Sequence, residues 1–161
     1  MKHTAIVINA STSSATSPNE LLCFGGNQYG QCGNGEHGAS TGSSVATKGP
    51  KVKCTYEVVE GALKGKSVTM VECGGAHTIV RTSNNDIYSF GLNDKGQLGL
   101  GTVGTFSAMP KKLKHFTSFQ IMQISCSEES SSVVTANGDL FVWGRNTEGM
   151  FDSEAGIFAL D

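Results

Sequence analysis

The residues of this chain whose type could do chemistry are five cysteines, four histidines and two glycine-rich strings. Gly99-Leu100-Gly101-Thr102-Val103-Gly104 has the spacing of a dinucleotide-binding turn. That turn works only where a helix opens behind it and points its N-terminal amides at a pyrophosphate. Thr105-Phe106-Ser107-Ala108-Met109-Pro110 follows without amphipathic period, and Gln123 and Ile124 stand where a ribose-binding acid is needed. Gly61-Ala62-Leu63-Lys64-Gly65-Lys66-Ser67 has three residues between its glycines where a phosphate loop has four, and Val68 to Val71 then reads as strand. Cys23, Cys32, Cys54, Cys73 and Cys126 form no Cys-x-x-Cys pair, and Cys32 with His37 lacks two further ligands for a tetrahedral metal site. No G-x-S-x-G elbow occurs, and the ordinary role for His77 is a structural hydrogen bond to a neighbouring turn. The expectation is a chain with no catalytic residue, no cofactor and no metal: not an enzyme.

Composition narrows the partners. Of 161 residues 38% are hydrophobic and 16% charged, which suits a packed domain better than a disordered chain. The net charge of −2 gives no electrostatic reason for a direct nucleic-acid partner, and Lys111, Lys112 and Lys114 read as a solvated face. No apolar run approaches the ~18 residues a spanning helix needs, and Ala5-Ile6-Val7-Ile8 is too brief for a signal-peptide core. Unpaired thiols without an export signal point to an intracellular compartment, the cytoplasm ahead of the nucleus.

The elements that would hold these residues come from a repeat. LLCFGGNQYGQCGNG (21–35), IYSFGLNDKGQLGLG (87–101) and LFVWGRNTEGMFDSE (140–154) align without gaps. Gly25, Gly91 and Gly144 are followed two residues on by Asn27, Asn93 and Asn146, and then by Gly30, Gly96 and Gly149. A preceding element, VECGGAHTIVRTSNND (71–86), aligns with ISCSEESSSVVTANGD (124–139). Asn84-Asn85-Asp86 and Asn137-Gly138-Asp139 separate apolar runs as hairpin turns do, and Val, Ile, Phe, Tyr and Trp fill the runs on either side. No helical period is found, so the expected class is all-β, a hairpin in each unit with further strands at Val68 to Val71 and Ile121 to Ile124. Lys2 to Val7 matches Ala76 to Val80, placing the start of the chain inside a first unit. The expected organisation is a single repeat domain over 1–161, with units near 1–50, 51–110 and 111–161 and a flexible loop inserted at 36–49.

The strings VECGGAHTIVRTSNNDIYSFG and YSFGLNDKGQLGLG closely resemble the repeat of the regulator-of-chromosome-condensation family. The resemblance implies a β-propeller built from four-stranded antiparallel blades, usually seven to a ring. About three blades are represented here, so a partial propeller is expected, whether a fragment, a truncated product or a subunit completed by another chain. The family's common activity is protein recognition by loops around the ring, and nucleotide exchange on the small GTPase Ran is one of its forms. In exchange-factor members the loops bearing Gly-Gly-x-His meet the GTPase; the matching residues are Gly74-Gly75-Ala76-His77 and Ser127-Glu128-Glu129-Ser130. The expected role is therefore a non-enzymatic interaction or scaffold module that binds protein partners through blade loops or open blade edges. The alternatives are an exchange factor for a Ran-like GTPase, linked to chromatin, or a structural subunit of a larger assembly. The candidate contact residues are Asn27, Gln28, Tyr29, Asn93, Asp94, Lys95, Asn146, Thr147 and Glu148, which start the loop after each glycine, together with His77 and Glu129.

Overall fold

A computed structural model describes residues 3–8, 19–37, 57–59, 61–146, 149 and 157–159. Among the described residues eleven strands make three sheets. The first contains β1 (His3–Ile8), β2 (Glu20–Gly25) and β3 (Glu57–Val58) in that order. The second is the meander β4 (Val68–Cys73), β5 (His77–Thr82), β6 (Ile87–Leu92) and β7 (Phe106–Lys112). The third contains β8 (Ile121–Cys126), β9 (Ser130–Thr135), β10 (Leu140–Gly144) and β11 (Ile157–Ala159). Helical structure among the described residues is confined to short 3-10 turns, such as Gly61–Leu63 and Lys114–Ser118.

The hairpins expected at Asn84-Asn85-Asp86 and Asn137-Gly138-Asp139 join β5 to β6 and β9 to β10, with Arg81 opposite Ile87 and Val134 opposite Leu140. Two departures from four antiparallel strands appear. The first sheet has three strands among the described residues, and β11 lies parallel to β10, Leu140 opposite Ile157. A tight hairpin cannot join a parallel pair, which is why no turn signal announces β11. The inserted loop falls outside the described residues from position 38 onward.

The sheets stand face to face, and the middle one is buried on both faces. Along β5, Thr78 and Val80 look toward the first sheet while His77, Ile79 and Arg81 look toward the third. One core joins Leu21, Cys23, Val68, Val80 and Phe90; a second joins Ile79, Ile87, Phe116, Ile124, Val133, Phe141 and Trp143. Phe116 contacts Phe141 edge-on at 5.4 Å between ring centroids. At ~1.5–3 kcal/mol for each fully buried large apolar side chain, either core outweighs the few hydrogen bonds crossing the same gap. The apolar residues supply adhesion; the polar ones set register.

Candidate functional site

Strand direction fixes which loops share a surface. His3 lies opposite Gly25, His77 opposite Gly91 and Ser130 opposite Gly144. The turns 74–76 and 127–129 therefore emerge at the same end of the sheets as the loops that follow β2, β6 and β10. The hairpins at 83–86 and 136–139 emerge at the other end.

The two described junctions between units are made the same way. At the first, His3 Nε2 lies 2.7 Å from Thr78 Oγ1, which donates to the carbonyl of Gln31 at 2.8 Å. At the second, His77 Nε2 lies 2.8 Å from Ser131 Oγ, which donates to the carbonyl of Gln97 at 2.8 Å. Because each hydroxyl spends its proton on a carbonyl, the imidazole must be the donor and carry its hydrogen on Nε2. Nδ1 of both histidines is left as a buried acceptor without a partner. Burial holds both imidazoles down to about 4. At the opposite end Asn19 Nδ2 donates to Val68 O at 3.4 Å. Its counterpart Asn85 donates to Phe119 O at 2.6 Å and accepts from Ile121 N at 3.0 Å.

Glycine is required where neighbouring units touch. A Cβ on Gly75 would sit 2.7 Å from Glu128 O, and the Gly75 amide donates to that same carbonyl at 3.0 Å. A Cβ on Gly99, whose φ is +64°, would sit 2.7 Å from Trp143 Nε1. Gly99 and Gly101 are thus packing and turn residues, followed by the strand β7, and nothing around them forms a helix N-terminus.

The candidate contact residues divide by burial. Asn27 and Asn93 are buried staples of their own loops: Asn27 Oδ1 accepts from Cys32 N and Asn93 Oδ1 from Leu98 N, both at 3.0 Å. His77 is wholly buried in its junction. These three side chains are not available as surface contacts, because their polar atoms are needed to satisfy buried backbone or a neighbouring sheet. Gln28, Asp94, Lys95 and Asn146 are exposed and Tyr29 and Glu129 half-buried, all at the same end of the sheets. Thr147 and Glu148 lie outside the described residues. The copy-to-copy alignment contained a sharper signal: at the offset of 66 the constant Asn27 and Asn93 turn inward, while Gln28 and Asp94, which vary, turn outward. Alignment at that offset also pairs Asn19 with Asn85 and Gln31 with Gln97, residues that sequence reasoning passed over.

This end of the molecule is acidic. Glu36, Glu72, Asp94 and Glu128 are exposed there, and Glu129 is paired with Arg145 at 2.6 Å. A cleft of about 580 Å³ opens on it, lined by His3, Cys73, the Gly74–Gly75 turn, Cys126, Ser127 and Glu128. Burial, with the Glu72 carboxylate as a lesser cause, raises both thiols, Cys126 to about 12. They are therefore neutral and poor nucleophiles. Among the described residues no group of three or more His, Cys, Asp or Glu could hold a metal, and no helix is long and apolar enough to cross a membrane.

Comparison with known proteins adds the ancestry of the repeat. A family model described as the regulator of chromosome condensation (RCC1) repeat matches residues 84–134, and a second of the same description matches 68–97. The X-linked retinitis pigmentosa GTPase regulator of Canis lupus familiaris is 36% identical over 154 residues, 95% of this chain and 13% of that protein. Its Homo sapiens counterpart is 36% identical over 152 residues, 92% of this chain and 12% of that protein. The ultraviolet-B receptor UVR8 of Arabidopsis thaliana is 35% identical over 83 residues, 52% of this chain and 19% of that protein. The chain thus spans less than a fifth of the length of these relatives. In three dimensions it is similar to human WBSCR16, with TM-score 0.63 and 23% identity over 79% of this chain and 29% of that one. Prp20p of Saccharomyces cerevisiae gives 0.60 and 20% over 80% and 30%.

Proposed function

The chain belongs to the regulator-of-chromosome-condensation repeat family, and from that premise we propose that it is a non-enzymatic protein-interaction module. Its working surface is the acidic end at which the loops after β2, β6 and β10 converge. One observation carries the reading: the constant Asn27 and Asn93 fold each loop from within, while the variable Gln28, Tyr29, Asp94 and Lys95 sit at its surface. A rigid frame with interchangeable tips stores partner specificity without disturbing the core. Each sheet is read as one unit; because β3 pairs with β2, the first boundary is placed beyond Val58 instead of near 50, and the second stays near 110. Cys23, Cys73 and Cys126 are free thiols, which supports an intracellular setting. The partner is a protein, a small GTPase or a chain that adds further blades among the options.

A second reading, nucleotide exchange on a Ran-like GTPase, draws on relatives described as GTPase regulators and on Prp20p, described with binding properties to Gsp1p and histones. The experiment separates the two. The chain is used as bait beside a variant with alanine at Gln28, Tyr29, Asp94 and Lys95 and a control with alanine at Lys114 and Asn137 on the opposite end. Partner capture lost by the first and kept by the second is the expected result. Equal capture by all three refutes the proposed surface, and accelerated nucleotide release from Ran favours the second reading.

A further inference from the structure

Each junction between sheets has two halves, and both halves recur on the outer faces of the stack. A sheet meets the next one with a fixed face: His3 opposite Gly25 and Ala5 opposite Cys23 in the first, His77 opposite Gly91 and Ile79 opposite Ser89 in the second. It meets the preceding one with the other face: Thr78 opposite Phe90 and Val80 opposite Tyr88 in the second, Ser131 opposite Trp143 and Val133 opposite Phe141 in the third. On the first sheet Thr4 stands opposite Phe24 and Ile6 opposite Leu22, the rows that elsewhere receive a neighbour. Thr4, Ile6 and Ile8 are exposed, Ile6 by 43%. On the third sheet Ser130 stands opposite Gly144 and Ser132 opposite Val142, the rows that elsewhere press on the next sheet. Among the described residues no sheet covers either face.

The two outer faces also trade volume. Where the second sheet projects His77 and Ile79, the third has Ser130 and Ser132, and a cleft of about 310 Å³ opens there, lined by both serines, Leu140 and Val142 among others. Ser130 turns its hydroxyl to Arg145 O at 3.0 Å within its own sheet, so it does not reach across as the imidazoles do. Where the second and third sheets have Val80 and Val133, the first has the larger Ile6, and Ile8 stands where they have Thr82 and Thr135. A face that has lost bulk fits a face that has gained it, and joining them removes exposed apolar surface from water. From the repeated rows and this exchange of size we infer that the third sheet receives the first sheet of a second copy, so that the chain adds to itself head to tail. Such a contact is heterologous: it closes into a ring or extends as a row of copies, according to the rotation between them. The inference concerns sheet faces and goes beyond the loop surface proposed above.

Sedimentation equilibrium of the full chain tests it, with the fluorescence of Trp143 as the check that each variant is folded. Wild type is expected to associate as its concentration rises. Ile6→Asp puts a carboxylate on the open face of the first sheet, and Ser132→Glu puts one in the cleft of the third. Each is expected to weaken association roughly tenfold or more, the loss of one buried apolar contact. Val103→Asp, at an apolar residue 74% exposed in the loop after β6, is expected to leave association unchanged. Ile6→Asp keeps a sound third sheet and Ser132→Glu a sound first sheet, so an equimolar mixture is expected to form a dimer that neither variant forms alone. Four results overturn the inference: a wild type that is monomeric at every concentration, an equal loss in Val103→Asp, either charged variant associating as wild type does, or a mixture that stays monomeric. Association that ignores Ser132→Glu but is lost in Ile6→Asp would mark a symmetric contact between two first sheets instead.

Discussion

Replacing Gln28 by aspartate should stabilise the protein, because the first unit lacks an acceptor that the second possesses. Gln31 and Gln97 occupy the same place in successive loops, and each uses its side-chain oxygen to accept a backbone amide, from Tyr29 at 2.9 Å and from Lys95 at 2.8 Å. The other end of each amide group differs. Gln97 Nε2 donates to Asp94 Oδ1 at 3.1 Å, whereas the fully buried Gln31 Nε2 has no partner. The residue equivalent to Asp94 in the first loop is Gln28. A buried unsatisfied donor costs ~1–3 kcal/mol; discounting for the exposure of the new carboxylate leaves a gain of about 1 kcal/mol. For a chain of this size that is ~2–4 °C in Tm. The bond to Gln97 is also the leading reason the Asp94 carboxyl is held below its usual range, with Lys95 assisting. The same depression is expected for the carboxyl introduced by Gln28→Asp, so its benefit is present above the ordinary carboxylate range and is lost as pH falls through the lowered value. Thermal unfolding of wild type, Gln28→Asp and Asp94→Gln at pH 7 and at pH 3 checks this. Asp94→Gln should lose about what Gln28→Asp gains, and both differences should shrink in acid. Neutrality of both changes at pH 7 would refute the idea that these buried amides need an outside acceptor.

Other outcomes follow from the junctions. The two relay histidines are neutral when folded and titrate near 4 instead of 6.5, so the unfolded chain binds more protons between those values. Stability should be complete above about pH 6.5 and fall as pH drops toward 4, by up to about 3 kcal/mol per histidine. His77→Gln, which keeps an N–H donor, should flatten that slope in urea titrations across this range. Asn85→Ala removes both bonds to the 119–121 segment and places alanine at φ +63°; a loss of about 2–4 kcal/mol is expected from two bonds and the strained backbone, read by chemical denaturation. Gly99→Ala drives a methyl group into the indole of Trp143 at φ +64°. It should cost about 2–4 kcal/mol as overpacking plus strain and shift the fluorescence of the single tryptophan toward that of a solvated indole.

Much of the framework was legible because the repeat constrains residue types on both sides of each hairpin. β5, β6, β9 and β10 follow from apolar runs around Asn-rich turns, and β4 and β8 from runs at a constant distance before them. β7 was not legible: Pro110 and the polar Lys111 and Lys112 suit an edge strand, where an absent N–H is tolerated, and edge strands have weak sequence patterns. β11 pairs in parallel across a long connection that no local signal encodes. In the candidate site, Asn27 and Asn93 were included as the first residues of loops that vary between copies, yet their own recurrence marks a shared folding role. The partners of His77 were hidden for a different reason. Ser131 lies 54 residues away, and only the alignment of Thr78 with Ser131 connects a histidine of one unit to a hydroxyl of the next.

Hydrogen–deuterium exchange of the full chain, alone and with the protein that co-purifies with it, tests the interaction surface most directly. The account predicts slowed exchange at residues 26–31, 92–96 and 127–130, with 64–67, 83–86 and 136–139 unchanged. Protection confined to the latter three segments would contradict it.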